Sequence, residues 1–324
     1  MTVRIGQAGL GEWGKNLARN FADLAELTWL SDPADGKAAE FTARYPQARW
    51  AGSLDEMLED PALDAVVLAT PVPTHHELAK QALEAGKHVF VEKPPAMTTE
   101  QIDELVAIAQ ARDLVLMPGH LLLYHPGVVK LKELIDDGAL GEVLMVYGNR
   151  QNLGVIRQHE NALWSLGVHD LSVILYLLDE DPSEAVANGQ SLLKTGVEDV
   201  VFCYLRFPSG RIAHMHLSWL DPHKKREMTV VGTEKMAVFD DMELDRKVTV
   251  YEKAPWKPVN TYGEWQTRTG DIHIPKIATD EPLKLECRHF LALIEGDGDR
   301  GQVARDGARV VRALDMLTSS LNGG

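Results

Sequence analysis

Apolar runs alternate with amphipathic stretches over roughly the first 120 residues. The apolar runs are "VRIGQAG", "AELTWLSD", "DAVVLATP", "KHVFVEKP" and "LVLMPGH", with a weaker one at "ARWAG". Short, continuously apolar runs are typical of strands buried on both faces, and the stretches between them have helical periodicity. The alternation predicts right-handed crossovers and a parallel, doubly wound sheet covered by helices on both faces.

Two helix starts carry the pattern of a capping box. Ser53 is followed three residues later by Glu56, and Thr74 is followed in the same way by Glu77. In a capping box the hydroxyl accepts a hydrogen bond from the N–H three residues on, and the carboxylate reaches back to the cap. We therefore expect helices to begin directly after Ser53 and Thr74.

The pattern changes after the "GH" at 119–120. One helical stretch, "HPGVVKLKELIDDG", precedes strand candidates at "VLMVYGNR", "VEDVVFCYLRF", "RIAHMHLSWL", "REMTVVGT", "KMAVFDD" and "VTVYEK", and the chain closes with the helical "DGARVVRALDMLTSSL". Short turns such as "PSG" and "GTEK" indicate antiparallel neighbours. The predicted fold is α/β: an N-terminal Rossmann domain over 1–120, and a C-terminal α+β domain over 121–324 with a large, mostly antiparallel open sheet.

Glycines form a turn directly after the first apolar run. Gly9, Gly11 and Gly14 stand in "GLGEWG", between the first predicted strand and helix. In a dinucleotide-binding turn the first glycine permits the bend, the second lets the backbone approach a pyrophosphate, and the third lets helix and strand pack. The helix N-terminus adds N–H donors and positive potential. This turn, with Glu12 and Trp13 inside it, is predicted to bind a dinucleotide; a purely structural turn is the alternative.

The second predicted strand ends in Asp32, 23 residues after Gly9. An acidic residue at this spacing bonds the ribose hydroxyls of a dinucleotide. It would repel a 2′-phosphate by about 4 kcal/mol at about 4 Å and an effective dielectric of about 20, so NAD is expected in preference to NADP. Lys37 could weaken that discrimination. The alternative is that Asp32 only caps the helix after Pro33.

The fourth predicted strand ends in "ATPVPTHHEL". Ligands of open α/β sheets bind at the carboxyl ends of the strands, so Thr70, Pro71 and His75 are predicted to contact the cofactor. A metal site at His75 and His76 is not expected, because adjacent helical residues diverge and the nearby sequence offers no third ligand.

A lysine ends the most apolar of these strands. Glu92 and Lys93 follow "HVFV", and Pro94 and Pro95 prevent the strand from continuing. Lys93 is therefore predicted at the ligand-binding edge of the sheet, with Glu92 beside the cofactor. An ordinary surface lysine with a buried stem is the alternative.

The second half has one chemically dense segment, "NLGVIRQHENALWSLGVHDLSVILYLL". Its tail is an amphipathic helix that carries His169 and Asp170, which taken alone would more often form a helix-terminal salt bridge than a catalytic pair. Arg150 and Arg157 stand upstream as candidate anion-binding residues, together with Trp164.

The composition excludes several classes of function. The chain has 324 residues, with 45% apolar and 25% charged positions and a net charge of −15. These values are ordinary for a globular protein of about two domains, but the acidity disfavours binding to nucleic acid. No apolar run is long enough to suggest a membrane span. Cys203 and Cys287 fit neither a metal spacing nor a disulfide framework, and the start of the chain lacks a signal-peptide pattern, so a cytoplasmic protein is expected.

Several motifs taken together resemble a known family. The glycine turn, E-K-P at 92–94, "GH" at 119–120 and G-x-H at 167–169 are similar to those of the Gfo/Idh/MocA oxidoreductases, and the resemblance covers essentially the whole chain. The segments "NLGVIR", "LWSLGVHDLSVILYLL", "AHMHLSWLDP", "TVVGTEKMAVFDD" and "DEPLKLECRHFLALI" more narrowly resemble the bacterial UDP-N-acetylglucosaminuronate 3-dehydrogenases.

The resemblance implies that Lys93 lies beside the nicotinamide and the reacting hydroxyl, and that His169 is the acid/base. A neutral imidazole suits removal of an alcohol proton, and an ammonium would stabilise the developing alkoxide. Many members carry an aspartate four residues before this histidine, one helical turn away on the same face. Ser165 stands there in this chain, so Lys93 and His169 would carry proton transfer without it.

A UDP-sugar substrate would require cations for its diphosphate, and Arg157 is the first candidate. The other predicted contacts are Tyr124, Asn161, His169, Asp170 and His216 for the substrate and Trp164 for the cofactor. His214 and His216 share a strand face and could hold zinc, but ordinary sheet histidines are the expected case and no metal is predicted.

The expected function is NAD-dependent oxidation of the 3-hydroxyl of a nucleotide sugar of the UDP-N-acetyl-2-amino-2-deoxyglucuronate type. The alternatives are an oxidoreductase of free sugars or inositols, a keto-sugar reductase and, more distantly, a non-catalytic dinucleotide-binding sensor. A homo-oligomer, either a dimer or a tetramer, is expected because strands such as "VVFCYLRF" and "AHMHLSWL" are too apolar to leave a face bare.

Overall fold

The structure is a computed structural model that describes residues 2–34, 36–154, 156–157, 160–258 and 265–323, with the side chains of 255–258 and 265 outside that description. The chain divides into two compact units. The first comprises residues 1–121 and 280–312, and the second comprises residues 122–279 and 313–324.

The first unit contains six parallel strands and the helices that cover them. The strands are β1 (Arg4–Ala8), β2 (Glu26–Ser31), β3 (Arg49–Trp50), β4 (Ala65–Leu68), β5 (His88–Glu92) and β6 (Leu116–Gly119). The helices are α1 (Gly14–Leu24), α2 (Lys37–Arg44), α3 (Leu54–Leu58), α4 (His75–Glu84), α5 (Thr99–Ala111), α8 (Pro282–Glu295) and the first part of α9 (Gln302–Asn322). The strand order β3-β2-β1-β4-β5-β6 confirms the predicted Rossmann sheet.

The centre of this sheet is fully buried, as its continuous apolar runs predict. All four residues of β4 are buried, and so are the three apolar residues in the middle of β5. β1 pairs with β2 on one side and with β4 on the other, so the order of the strands reverses between β1 and β4. The carboxyl ends of the strands at such a reversal leave the crevice in which ligands of this fold bind.

The predicted domain boundary differs from the structure in one segment. A boundary at residue 120 assigns residues 280–312 to the second domain, whereas they pack with the first unit. Phe290 of α8 lies edge-on to Phe21 of α1 and Phe90 of β5, with ring centroids 6.1 Å and 5.7 Å away. An amphipathic pattern shows that α8 has an apolar face, but not which distant surface covers it.

The second unit is built on eight strands. They are β7 (Val143–Gln151), β8 (Glu184–Gln190), β9 (Val200–Arg206), β10 (Ile212–Ser218), β11 (Lys225–Gly232), β12 (Met236–Asp240), β13 (Val248–Pro258) and β14 (Trp265–His273). Their order is β14-β13-β12-β11-β7-β10-β9-β8, and only the β7–β10 pairing is parallel among those described. This confirms the predicted mostly antiparallel sheet. α6 (Pro126–Asp136), α7 (Val168–Leu178) and the last part of α9 complete the unit.

The two predicted capping boxes have different outcomes. Ser53 accepts a hydrogen bond from the Glu56 N–H at 3.4 Å, although the Glu56 carboxylate reaches back to the Gly52 N–H. The box at Thr74 is wrong. A 3-10 turn over Val72–Thr74 runs directly into α4, so Thr74 already has helical backbone angles and its hydroxyl bonds backwards to the Pro71 carbonyl.

The structure also bears on two expectations from the sequence, which concern membrane spans and the two cysteines. Among the described residues, none of the helices combines the length and apolarity that crossing a bilayer requires. Cys203 and Cys287 are buried and not disulfide-bonded. Burial raises the pKa of Cys203 to about 12, so this thiol is not an activated nucleophile.

Candidate active site

The turn after β1 has contacts that only glycine allows. Gly9 has a φ of +90°, and a Cβ there would lie 2.3 Å from the Ala69 carbonyl oxygen. A Cβ on Gly14 would lie 2.2 Å from the Gly9 carbonyl oxygen, so α1 could not begin against the turn with a larger residue. A Cβ on Gly11 would meet no atom within 4 Å, which leaves its backbone open to a ligand. These are the three conditions that a dinucleotide turn must satisfy.

The buried amide of Gln7 holds this turn. Its Nε2 donates hydrogen bonds to the carbonyl oxygens of Gly9 at 3.0 Å and Gly14 at 2.7 Å. Trp13 supplies no side-chain cap to α1, no acidic residue lies in the first turn of the helix, and Glu12 is 96% exposed. The N–H groups at the start of α1 thus suit an anion such as a pyrophosphate. In the sequence Gln7 is one polar residue within an apolar strand, and that pattern does not show that its amide holds the glycine turn.

The carboxylate of Asp32, after β2, is bound to the glycine turn. Its Oδ2 accepts from the Leu10 N–H at 2.7 Å and from Lys37 Nζ at 3.2 Å, and its Oδ1 accepts from the Ala34 N–H at 2.9 Å. Burial alone would raise the pKa of Asp32, but these donors together hold it below its usual value, so Asp32 remains ionised. Lys37 lies against the carboxylate, where it can weaken discrimination against a phosphate.

Residues 70–75, which follow β4, differ in their exposure to solvent. Pro71 is exposed and Thr70 is partly buried, with its hydroxyl 2.8 Å from that of Thr74. His75 is buried, and its ring nitrogens lie 2.8 Å from the Pro94 carbonyl oxygen and 2.7 Å from the Thr70 carbonyl oxygen. The prediction that His75 contacts the cofactor is therefore corrected. Its ring ties the segments that follow β4 and β5 to each other.

Glu92 and Lys93 stand at the carboxyl end of β5, as predicted. The Glu92 carboxyl accepts hydrogen bonds from the Trp13 indole and from the Lys93 backbone N–H, the latter at 3.2 Å. A Cβ on Gly119, at the end of β6, would lie 3.1 Å from the same carboxyl. Burial raises the pKa of Glu92 to about 7, although Lys93 and Trp13 act in the opposite direction. Trp13 thereby connects the glycine turn to the neighbour of Lys93.

His120 is a buried histidine in the same unit. Its side chain is 5% exposed, and neither ring nitrogen has a hydrogen-bond partner within the described ranges. Burial and the charge of Lys93 lower the pKa of His120 to about 4, so the ring is neutral at neutral pH. His120 therefore adds no second positive charge beside Lys93. The sequence does not show this, because the motif "GH" carries no information about burial.

In the second unit, His169 is the second residue of α7 and is partly exposed. Its carbonyl oxygen accepts a hydrogen bond from the Ser172 hydroxyl at 2.8 Å. Residues Leu163–Gly167 form a π-helical turn instead of a regular α-helix. This π turn runs directly into α7, so Ser165 lies within the turn that precedes His169.

Asp170 forms a buried ion pair. It is 1% exposed, and its Oδ1 accepts from Nε and Nη2 of Arg150 at 2.7 Å and 2.6 Å. Burial raises the pKa of Asp170 against the opposing effect of Arg150. The prediction that Asp170 binds substrate is corrected, and Arg150 is also engaged. Neighbouring positions in sequence cannot show that β7 brings an arginine to the buried side of α7.

Trp164 and Asn161 both support the π-helical turn. The Asn161 Oδ1 accepts from the Trp164 N–H at 3.1 Å, and its Nδ2 donates to Glu198 at 2.8 Å. The Trp164 side chain is 7% exposed, and its indole N–H donates to the Thr318 hydroxyl at 3.0 Å. The burial of Trp164 corrects the prediction that it binds cofactor, whereas Asn161 is partly exposed and its contact with substrate stays a prediction.

Arg157 and Tyr124 keep more accessible positions. The Arg157 side chain is 56% exposed, and its Nε lies 4.0 Å from a carboxylate oxygen of Glu160. Tyr124 ends a 3-10 turn that begins at Leu121 and is partly buried. An exposed guanidinium whose described ion pair is 4.0 Å long is suited to a phosphate, so Arg157 is a stronger candidate than Arg150.

His214 and His216 occupy one face of β10, as predicted. The His216 ring stacks on Phe202 with centroids 4.3 Å apart, and its Nδ1 lies 2.6 Å from the Gln151 amide nitrogen. The His214 ring stacks on Tyr147 at 4.8 Å. Burial lowers the pKa of both histidines. These rings are therefore neutral members of a ring-rich sheet face.

One group of described residues offers three possible metal ligands. Ligand atoms of Glu252, Asp271 and His273 lie within 4.8 Å of one another. Lys235 Nζ already contacts Glu252 at 2.9 Å, and Asp271 and His273 are exposed. The lysine supplies the positive charge that the glutamate requires, so the group has the character of a surface ion-pair network.

Comparison with known proteins agrees with this geometry. Residues 3–120 match the model described as "Oxidoreductase family, NAD-binding Rossmann fold", and residues 128–238 match the "GFO/IDH/MocA C-terminal domain". A 1,5-anhydro-D-fructose reductase of Ensifer adhaerens is 34% identical over 270 residues, which are 79% of this chain and 76% of that protein. The first unit is therefore an NAD-binding Rossmann domain.

Further similar proteins include sugar-nucleotide and inositol dehydrogenases. A UDP-N-acetylglucosamine 3-dehydrogenase of Acidithiobacillus ferrooxidans is 28% identical over 241 residues, 74% of each chain. Its solved structure superimposes with a TM-score of 0.83 at 24% identity, over 100% of this chain and 99% of that one. GenD2 from gentamicin A biosynthesis, in complex with NAD, has a TM-score of 0.82 at 25% identity, over 99% and 94% of the two chains. Inositol dehydrogenases match at 27% to 29%. The chain spans only 60% and 61% of the length of two other relatives.

Proposed function

Because this chain belongs to the Gfo/Idh/MocA family of oxidoreductases, we propose that it is an NAD-dependent dehydrogenase of a nucleotide sugar. The proposed reaction oxidises the 3-hydroxyl of a UDP-N-acetyl-2-amino-2-deoxyglucuronate-type sugar to a ketone. The observation that carries the proposal is the link between the glycine turn and Lys93, made by the Trp13–Glu92 hydrogen bond and the Glu92–Lys93 backbone contact. It joins a dinucleotide turn to an amine suited to alcohol chemistry.

In this proposal each functional residue has a distinct task. NAD, when bound, supplies the acceptor for the hydride that leaves the sugar carbon. The Lys93 ammonium stabilises the negative charge that develops on the hydroxyl oxygen, and His169 takes the hydroxyl proton. Gly11 and the start of α1 bind the pyrophosphate, and Asp32 accepts from the ribose hydroxyls.

The nucleotide part of the substrate is assigned to Arg157. Its guanidinium is exposed, whereas that of Arg150 is neutralised by Asp170. The similarity to a UDP-N-acetylglucosamine 3-dehydrogenase supports a UDP-linked substrate. Tyr124 and His216 remain candidate stacking or polar contacts in the proposal.

The test is turnover with a panel of substrates, measured by the absorbance of reduced nicotinamide. UDP-linked N-acetyl amino sugars and their uronates should reduce NAD, and equilibrium dialysis should detect bound UDP. Arg157→Ala should weaken UDP binding, whereas Arg206→Ala should not, although the Arg206 side chain is equally exposed at 56%. Absence of UDP binding by the unaltered protein would remove the nucleotide-sugar assignment.

A second candidate is a reductase of keto-sugars, or an oxidoreductase of free sugars or inositols. The relative with 34% identity is an anhydrofructose reductase, and inositol dehydrogenases are also similar. The same panel separates these cases, because free sugars or inositols would then turn over without any dependence on UDP. A non-catalytic sensor is disfavoured because both Lys93 and His169 are present.

We expect Asp32→Ser to lower the preference for NAD over NADP by up to about 10³-fold. The substitution removes the charge that would repel a 2′-phosphate, a repulsion of about 4 kcal/mol at about 4 Å and an effective dielectric of about 20, and leaves Lys37 available to bind it. Fluorescence titration gives the Kd of each dinucleotide. Asp32→Ser combined with Lys37→Ala should lose the part of the gain in NADP binding that Lys37 supplies. Equal binding of both dinucleotides by the unaltered protein would contradict the assigned role of Asp32.

A homo-oligomer formed through the second sheet is part of the proposal. Val186, Tyr204, His214 and Tyr147 form one row across four strands of this sheet, and Phe202 and His216 belong to the next row. Phe202 is 54% exposed and Val186 is 44% exposed. Together they expose more apolar surface on this face than a single apolar residue at a protein surface does. Sedimentation should give at least a dimer, and Phe202→Glu should shift it towards monomer. A monomeric unaltered protein would refute this.

A further inference from the structure

Glu286 is a buried carboxyl group for which the proposed reaction has no use. Its side chain is 0% exposed, and neither carboxyl oxygen has a hydrogen-bond partner among the residues that the structure describes. It stands on the apolar face of α8, three residues after Leu283 and four before Phe290. Burying an unpaired carboxylate is costly, so such a group either stays protonated or serves a neighbour.

The packing of α8 identifies that neighbour as Glu92. Phe290 contacts Phe90 with ring centroids 5.7 Å apart. At the end of α8, Arg300 donates to the Leu293 carbonyl and also to Asp113, which precedes β6, so α8 ends at the amino edge of the sheet and runs antiparallel to β5. Glu286 lies one helical turn before Phe290, and Glu92 lies two strand residues after Phe90. Each of these steps is about 6–7 Å towards the carboxyl edge of the sheet. These steps bring Glu286 and Glu92 opposite each other.

The electrostatics of the two carboxyls agree with this arrangement. Burial raises the pKa of Glu286 well above its usual value, and the charge of Glu92 raises it further. Burial also raises the pKa of Glu92 to about 7. Two carboxyls in one poorly solvated region cannot both ionise readily, so the charge on one opposes the ionisation of the other.

We propose that Glu286 is a positioning residue for Lys93, because its carboxyl opposes the ionisation of Glu92 and thereby sets the negative charge that faces the lysine. The role of Lys93 in this statement rests on the proposed function, whereas the carboxyl pair does not. The other charged or titratable groups near the pair are Lys93 directly after β5, Cys287 on α8, and Arg19 of α1, which is itself paired with Glu281; His120, after β6, interacts with Lys93.

The direct test is a titration of carboxyl ¹³C signals in glutamate-labelled protein, assigned with Glu286→Gln and Glu92→Gln. In the unaltered protein both midpoints should lie above the ordinary glutamate value of about 4.3. In Glu286→Gln the Glu92 midpoint should fall by about one unit or more, because the like charge is lost and an amide donor is gained. The Lys93 ε-carbon signal should inflect with the pair and lose that inflection in Glu286→Gln.

A matched control and an independent readout complete the experiment. Glu295→Gln changes an exposed glutamate on the same helix and should leave these titrations unchanged. Because the folded pKa of Glu286 lies above the unfolded one, its stabilisation is complete below the unfolded pKa and is lost as the pH rises through the folded pKa. The Tm should therefore fall from about pH 5 to pH 8, and fall less in Glu286→Gln.

The outcomes separate this proposal from the proposed function. Independent titration of Glu92 and Glu286 near the ordinary value would overturn the pair. A coupled pair without any response of Lys93 would overturn the positioning role. If no sugar or inositol turns over but the coupled titration and the Lys93 response are found, the proposed function fails and the pair stands.

Discussion

Replacing Lys93 by methionine should lower kcat/KM by roughly 10²–10³-fold, the usual cost of removing one group that stabilises charge in a transition state. Methionine is similar in length and apolar, so the stem can still follow the end of β5 while the ammonium is lost. The Glu92 carboxyl beside it would then have no cationic neighbour on that strand. Binding of NAD should change only a few fold, because Gly11, Asp32 and the start of α1 are untouched.

The measurement combines steady-state reduction of NAD with a separate titration of NAD binding. Lys80→Met is the matched control, since Lys80 lies in the same unit and forms an exposed ion pair with Glu104. Its activity should equal that of the unaltered protein. Equal turnover by Lys93→Met would remove Lys93 from the chemistry. A loss of NAD binding as large as the loss of turnover would make it a cofactor ligand only.

Replacing His169 by asparagine should lower kcat/KM by about 10²–10⁴-fold, the range for loss of a general base. Asparagine retains polarity and approximate size at the start of α7 but cannot accept a proton. A general base acts only in its unprotonated form, so its removal should change the pH dependence of kcat/KM as well as its magnitude. The pH dependence of kcat/KM should therefore become flatter.

The pH profile distinguishes a base from a structural residue. His223→Asn, at an exposed position of the same unit, should leave the profile unchanged. A uniform loss in His169→Asn with the pH profile preserved would indicate misplacement of α7 instead of loss of a base. In that case the Asp170–Arg150 ion pair, which joins α7 to β7, should be examined for disruption.

The sequence was informative wherever the function of a residue depends on its chain neighbours. Gly14 must be glycine because of a contact within a single turn, Gly9 adopts a positive φ in that turn, and Lys93 stands at the end of a strand because prolines follow it directly. The alternation of strands and helices predicts the parallel sheet for the same reason, since each crossover is local.

The predictions that the structure corrects concern residues whose partners lie far away in the chain. His75, Trp164 and Asp170 look available in the sequence, yet they are engaged by Pro94, Thr318 and Arg150. A polar residue next to a motif can face a ligand or the interior, and its spacing within the motif does not distinguish the two. Only the register of the strands and the packing of the helices decide it.

The sequence by itself determined the Rossmann topology, the dinucleotide turn and the position of Lys93, because short-range sterics and hydrophobic period specify these features. The tertiary structure alone decided that α8 returns to the first sheet and packs Phe290 against Phe90, near enough for the charge of Glu92 to act on Glu286. An amphipathic helix can bury its apolar face against any complementary surface, so its partner is selected by the packing of the whole unit.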